Sequence, residues 1–335
     1  MKPLFTPPLL LLLALAGCNN ADDTTVDESA SQQLIFSASL SNDDTRMAFA
    51  NETSPTLIWS EGDQIQVYSF ERAGYNDISS GKFQKTSPCS MSSGVDTVNA
   101  TFDGGSSVSH WIYDETNYDD SGSPYGLSFL AIYTKNSMLD NSSLSAGTAT
   151  DEVKFIIPST QSGDLNAQVC YTPKDTSFIK YEDTYYMSSS PTKTLQLQFT
   201  PATALIRLRL KLPEEYQNKQ ITASICSEKP NHEIAGTGTL ALKSGTIAVS
   251  DTGNTDGITA SGRYTAASDG YTDIYFATLP TSGDTTISIT IGIAGIDETK
   301  IQIQKNSVEN RQFAVADGLA SGTRYTVKRD VVVSE

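Results

Sequence analysis

From Leu34 onward, apolar and polar residues tend to alternate with a period of two. Leu34, Phe36, Ala38 and Leu40 alternate with Ile35, Ser37 and Ser39. Ile65, Val67 and Ser69 alternate with Gln64, Gln66 and Tyr68, after a turn at Ser60-Glu61-Gly62-Asp63. Val153 to Ile157 is a further strand candidate. The second half repeats the pattern more cleanly. Leu195, Leu197 and Phe199 alternate with Gln196 and Gln198, and Ile206, Leu208, Leu210 and Leu212 with Arg207, Arg209 and Lys211. Ile287, Ile289, Ile291 and Ile293 alternate with Ser288, Thr290 and Gly292. A period of two sends successive side chains to opposite faces, so each run predicts a strand with one face on a core and one in water. On this reading Arg207, Arg209 and Lys211 face solvent. The intervening segments are rich in Gly, Ser, Asp and Asn, as hairpin turns require. No stretch sustains a helical period, and Pro213 to Asn218 predicts at most one helical turn. The expected fold is all-β: two antiparallel β-sandwich domains, because many short strands must each hide one face.

The first residues follow another pattern. Met1-Lys2-Pro3 precedes an apolar run, Leu9 to Ala16, that ends at Gly17-Cys18. A positive start, a short apolar run and small residues at its end describe a secretory signal peptide. The run is about half of the roughly 20 residues that span a bilayer, so a transmembrane anchor is not expected. Leu15-Ala16-Gly17-Cys18 resembles the bacterial lipobox, in which the chain is cut before the cysteine and its sulfur carries a diacylglycerol. The alternative is an ordinary signal peptide with a chance cysteine. Asn19 to Gln33 is polar and acidic and cannot bury a core, so it reads as a flexible tether. The expected organisation is a lipoprotein signal peptide at 1–17, a tether at 18–33, an N-terminal sandwich at 34–190 and a C-terminal sandwich with a short tail at 191–335. The boundary is set at the polar, Pro191-bearing stretch Ser188 to Lys193.

Net charge changes the list of partners. With 23 Lys+Arg against 39 Asp+Glu the chain carries −16, which argues against nucleic acid. With Cys18 set aside, Cys89, Cys170 and Cys226 remain. They match no zinc or paired-cysteine spacing and are expected to be buried or partly buried free thiols. The two histidines, His110 and His232, lie near no ligand-spaced Cys, Asp or Glu, so neither a metal nor another cofactor is expected.

Several ordered segments then resemble one family. Ser37-Ala38-Ser39-Leu40, Thr45-Arg46 and Leu57 to Tyr68 are similar to the opening of the fimbrillin (Mfa-like) family of Bacteroidota. Phe155-Ile156-Ile157-Pro158 with Gln161, and Tyr186-Met187-Ser188-Ser189, resemble the close of its first domain. Phe199 to Leu210 resembles the first strand of its second domain, although Pro201 stands where the family often has His. Tyr275 to Pro280 and Gly318 to Tyr325 resemble its final strands. Asp22 and Asp23 behind the cysteine resemble the short acidic export signal of Bacteroidota surface lipoproteins.

The resemblance implies two transthyretin-like sandwiches and a pilus subunit or accessory, carried to the outer membrane by a lipid anchor on Cys18. It implies cleavage after an arginine near the first strand, which removes lipid and strand together. The emptied groove is then filled by a strand of another pilus subunit. Arg46, followed by Met47, stands in the polar stretch after Leu40 and is the candidate cleavage point. The candidate donor strand carries Tyr325, Val327, Val331 and Val333, with Arg329 interrupting its apolar face. If the last strand ends at Lys328, a tail of Arg329 to Glu335 remains, about 24 Å long when extended. That is short for a donor strand and favours an accessory, tip or anchor-like subunit, or a surface lipoprotein that never polymerises.

Other chemistry is weaker. Asp251-Thr252-Gly253 is the aspartic-protease tripeptide, but it occurs once and the dyad needs two. The segment around Asn254-Thr255-Asp256-Gly257 lacks the ligand pattern of an EF-hand, with Arg263 at its twelfth position. Gly236-Thr237-Gly238 has no following helix to make a dinucleotide loop. Asn51-Glu52-Thr53 and Asn141-Ser142-Ser143 are glycosylation sequons only by pattern. No acid, base and nucleophile set emerges, so an enzyme is not expected. The alternative function is a non-polymerising surface lipoprotein that binds carbohydrate on a host or bacterial surface, for which Tyr113, Tyr118 and Tyr125 around an acidic loop are the stacking candidates.

Overall fold

The computed structural model describes residues 33–40, 58–59, 61–72, 83–85, 89–94, 99–103, 126–134, 139–140, 152–173, 178–180, 192–229, 232–249 and 257–334. Their regular structure is almost wholly strand. The first part holds β1 (Gln33–Leu40), β2 (Gln64–Arg72), β3 (Phe83–Lys85), β4 (Cys89–Ser93), β5 (Asn99–Asp103), β6 (Gly126–Thr134) and β7 (Leu139–Asp140). Next come β8 (Glu152–Ile157), β9 (Thr160–Gln161), β10 (Val169–Tyr171), β11 (Phe178–Lys180), β12 (Thr192–Pro201) and β13 (Ala204–Lys211). The rest holds β14 (Gln220–Ser227), β15 (Gly236–Ala241), β16 (Thr246–Val249), β17 (Ile258–Arg263), β18 (Thr272–Thr278) and β19 (Thr285–Ile293). The last strands are β20 (Ile301–Lys305), β21 (Val308–Glu309), β22 (Gln312–Val315) and β23 (Arg324–Val333). A 3-10 turn, Glu214–Tyr216, stands where Pro213 to Asn218 predicts one, and another, Glu298–Lys300, caps on Asp297.

Two cores follow from the strand periodicity. In the first, the sheet order is β11-β6-β10-β12-β1-β5-β4-β2-β3, and β2 also pairs with β6. That extra ladder joins the two sides, so a ring of strands encloses one core. Phe36, Ala38 and Leu40 of β1, Ile65 and Val67 of β2, and Leu195, Leu197 and Phe199 of β12 point into it. Trp59 sits at its centre, with ring centroids 4.6 Å from Tyr133, 4.9 Å from Phe102 and 5.7 Å from Phe199.

The second core lies between the sheets β18-β13-β23-β20-β21 and β22-β19-β14-β17-β9. Ile287, Ile289, Ile291 and Ile293 are all buried there, as their spacing requires. A four-stranded sheet, β16-β15-β8-β7, adds Val153, Phe155 and Ile157 to this core, and Tyr68, Leu130 and Ile132 from the other face of the ring join them. The sheets are mainly antiparallel, with parallel pairings at β1–β12, β13–β23 and β9–β17.

Three sequence expectations are corrected. First, a boundary at 190/191 does not separate the sheets. β12 lies in the ring, paired with β1 from Gln33↔Thr192 to Leu40↔Phe199, while β8 and β9 pair with β15 and β17 of the later part. Second, Arg207 and Arg209 do not face water: they are 2% and 4% exposed. Both faces of β13 are covered, since Leu205 and its neighbour Tyr275 belong to the ring core. The buried charge is met by Asp273, which accepts from Arg207 Nη2 at 2.6 Å and Arg209 Nε at 2.8 Å. Third, the last strand does not stop at Lys328. It runs to Val333, because Arg329 is accommodated inside rather than breaking the apolar face.

Candidate functional site

β1 occupies the position on which the strand-removal expectation depends. It is an interior strand, bonded on one side to β12 in parallel and on the other to β5, from Ile35↔Asp103 to Ser39↔Asn99. Its alternation is plain in the burial: Phe36, Ala38 and Leu40 are 0%, 1% and 5% exposed, while Ile35, Ser37 and Ser39 are half-buried. Phe36 packs on Phe129 at a centroid distance of 5.9 Å. Burying a Phe or Leu side chain stabilises by about 1.5–3 kcal/mol, so β1 is held mainly by two side chains and two ladders. Without it, the facing edges of β5 and β12 lose their partners and an apolar slot opens beside Trp59, Phe102 and Phe199.

At the other end, Tyr325, Val327, Val331 and Val333 are brought together on one side of β23, as their spacing requires. They are not free to be donated. β23 pairs with β13 from Arg324 to Asp330 and with β20 from Asp330 to Val333. Val327 and Val331 are buried in the second core. Arg329 shares their face, and its guanidinium meets main-chain carbonyls instead of a carboxylate. Nε donates to Asn310 O at 3.0 Å, Nη1 to Lys328 O at 2.8 Å and Nη2 to Gln312 O at 2.6 Å. Burial holds its pKa below the ordinary arginine value. The sequence pattern shows Arg329 only as an interruption, since its Asn310 and Gln312 acceptors lie in a loop and an edge strand that the local pattern does not connect to it.

Cys18, Arg46 and Met47 lie outside the described residues, as do His110, Tyr113, Tyr118, Tyr125 and Asp251-Thr252. Cys89, Cys170 and Cys226 are not in disulfides, and the first two are buried. Burial pushes the Cys170 thiol up to about 12. Tyr133 donates to Asp63 Oδ2 at 2.8 Å, and burial first, then that carboxylate, raises its pKa. His232 Nδ1 lies 2.8 Å from Thr285 Oγ1, and burial and Lys229 lower its pKa. Among the described residues no group of three His, Cys, Asp or Glu side chains could hold a metal ion, and no helix is long and apolar enough to cross a membrane.

No protein-family model matches the chain, and no curated protein matches it. Solved structures are similar to it at low identity. A candidate cell adhesion protein from Bacteroides uniformis is 13% identical, with TM-score 0.46 and coverage of 90% of this chain and 95% of that one. The fimbrial anchor protein Mfa2 from Porphyromonas gingivalis is 12% identical, with TM-score 0.37 and coverage of 86% and 99%. A fimbrial protein from Bacteroides vulgatus is 10% identical, with TM-score 0.39 and coverage of 90% and 97%.

Proposed function

We propose that this chain is a cell-surface adhesion protein of the fimbrial type, exported as a lipoprotein on Cys18 and assembled by strand exchange at the β1 slot. Its role is to bind and assemble rather than to catalyse. The observation that carries the reading is the place of β1: an interior strand of a closed ring, filling an apolar slot and followed by the segment that holds Arg46. After a cut at Arg46, what holds β1 among the described residues is its two ladders and the Phe36, Ala38 and Leu40 side chains. Once β1 leaves, a strand from another pilus subunit can restore both ladders and the buried face, which is β-augmentation in its two-sided form. The family resemblance of the opening segments points the same way.

The chain acts here as the acceptor. Donating β23 would break pairing to both β13 and β20 and unbury Arg329, which suits an accessory, tip or anchor position better than a stalk.

The test treats the purified precursor with an arginine-specific protease and runs it on a denaturing gel without boiling. The expected result is a new N-terminus at Met47 and a heat-sensitive complex with a partner subunit or a strand peptide, absent in Arg46→Ala. Cleavage at Arg46 that releases no strand and admits no partner rejects strand exchange. Glycan binding by the uncut monomer, with no assembly after cutting, would instead favour the carbohydrate-binding alternative.

A further inference from the structure

β23 has a half-open edge. β13 follows it from Arg324 to Asp330, but β20 meets only Asp330 to Val333. β20 stops there because the chain reverses at Asn306-Ser307, a two-residue turn with φ of 55° and 64°. In a strand, the main-chain groups of alternate residues point to alternate sides. The Ser334 N–H donates to Lys300 O on the β20 side, so even-numbered residues of β23 face that way. Thr326 and Lys328 therefore direct their main-chain groups into space that β20 does not reach.

The same parity applies to β22, the edge strand of the facing sheet. Ile289 N–H donates to Arg311 O at 2.7 Å, so odd-numbered residues there face β19. Gln312 and Ala314 face outward, as the bond from Arg329 to Gln312 O requires. Arg329 thus closes one end of both edges by taking the Gln312 and Lys328 carbonyls. Beyond it, the edges at Thr326 and Ala314 line one groove of about 1020 Å³.

The groove's chemistry narrows its occupant. Side chains alternate along β23: Tyr325 and Val327 lie toward the core, Thr326 and Lys328 toward solvent. Phe313 of β22 also packs on the core side. Lys305, Arg324 and Lys328 line the groove against one carboxylate, Asp330, on a chain whose net charge is −16. Lys328 Nζ stands 5.5 Å from the Tyr271 ring, which helps hold it at the groove.

We propose that this groove is a second strand-acceptor site, separate from the β1 slot, for a short extended peptide of alternating acidic and apolar residues from another chain. The peptide backbone bonds to Thr326 on one side and Ala314 on the other. Its apolar residues cover Tyr325, Val327 and Phe313, and its carboxylates meet Lys305 and Lys328. Edge pairing supplies affinity and the alternate side chains supply selectivity.

The test is fluorescence anisotropy with full-length protein and a labelled Glu-Val-Glu-Val-Glu-Val peptide. Saturable binding is expected, weakened about tenfold or more by Ala314→Pro, which removes an outward N–H at an edge where proline is tolerated. Lys328→Glu is expected to weaken the acidic peptide and to strengthen Lys-Val-Lys-Val-Lys-Val, and this charge swap decides the matter if Ala314→Pro fails to fold. A thermal melt of each variant checks folding. The proposal is overturned by absence of saturation at about 1 mM peptide. It is equally overturned by unchanged affinity in folded Ala314→Pro, or by binding of an oligogalacturonate but not the peptide.

Discussion

The Arg329 guanidinium donates to the Gln312 carbonyl oxygen at 2.6 Å, so the last strand of one sheet grips the edge strand of the sheet facing it. Arg329→Met keeps much of the volume but leaves the Asn310, Gln312 and Lys328 carbonyls without this donor. The expected loss is about 1.5–3 kcal/mol, what hydrogen bonds to a charged group contribute. Urea unfolding should show a lower midpoint. Arg329→Lys should recover only part of it, since an ammonium cannot fork across three carbonyls.

Asp273 and Asp269 should separate in cost. Asp273 is 13% exposed and bonds two buried arginines, while Asp269 is 49% exposed and bonds one. Asp273→Ala should destabilise by about 3–5 kcal/mol, because it leaves buried positive charge without its main counter-charge. Asp269→Ala should cost far less, as exposed ion pairs are screened by solvent. Equal losses in urea would contradict the burial difference.

Phe36→Ala should lower stability by about 3–5 kcal/mol through a cavity in the ring core. The same variant, cut after Arg46, should lose its β1 fragment faster than cut wild type, which size-exclusion chromatography over time can follow. Ser37→Ala, on the opposite face of the strand, should alter neither much.

Alkaline pH should destabilise the fold. The Cys170 thiol has an ordinary value near 9 and is pushed up to about 12 by burial. Its folded-state pKa is raised, so the neutral thiol's stabilising contribution is complete below about pH 9 and is lost as pH rises toward about 12. Tyr68 and Tyr133 shift in the same direction, first through burial. Cys170→Ala should flatten the fall in unfolding free energy over this window.

Thiol labelling gives an independent reading of the same burial. In native protein near neutral pH, Cys89 and Cys170 should resist maleimide while half-buried Cys226 reacts first; in urea all three should react. Peptide mass mapping distinguishes them. Early labelling of Cys170 would mean that the ring core opens more readily than its packing implies.

The strands were legible where one face meets a core and the other meets water. Ile287 to Ile293 and Phe36 to Leu40 are cases in which local period and burial agree. The pattern misled where the second face is also covered. Arg207 and Arg209 look like a solvated stripe because Asp273 joins them only through the β13–β18 pairing, far along the chain. Arg329 looks like a break for the same reason. The boundary at Pro191 is a real polar interruption, yet β12 beyond it belongs to the ring, since strand pairing follows register and not proximity in sequence. Of the candidate site, the alternation of β1 could be read directly. Its interior position could not, because both neighbours come from distant segments.

The parallel ladder between β1 and β12 also bears on the order in which the ring closes during folding. Gln33 emerges early, yet its partner Thr192 follows only after most of the ring has been made. Joining segments so far apart carries a loop-closure cost that nearer pairings avoid, so this ladder forms late. Until it forms, β1 has β5 for a partner on one side and an unpaired edge on the other. The β12 side of β1, which any exchange of this strand would have to free, is therefore the last of its two sides to close.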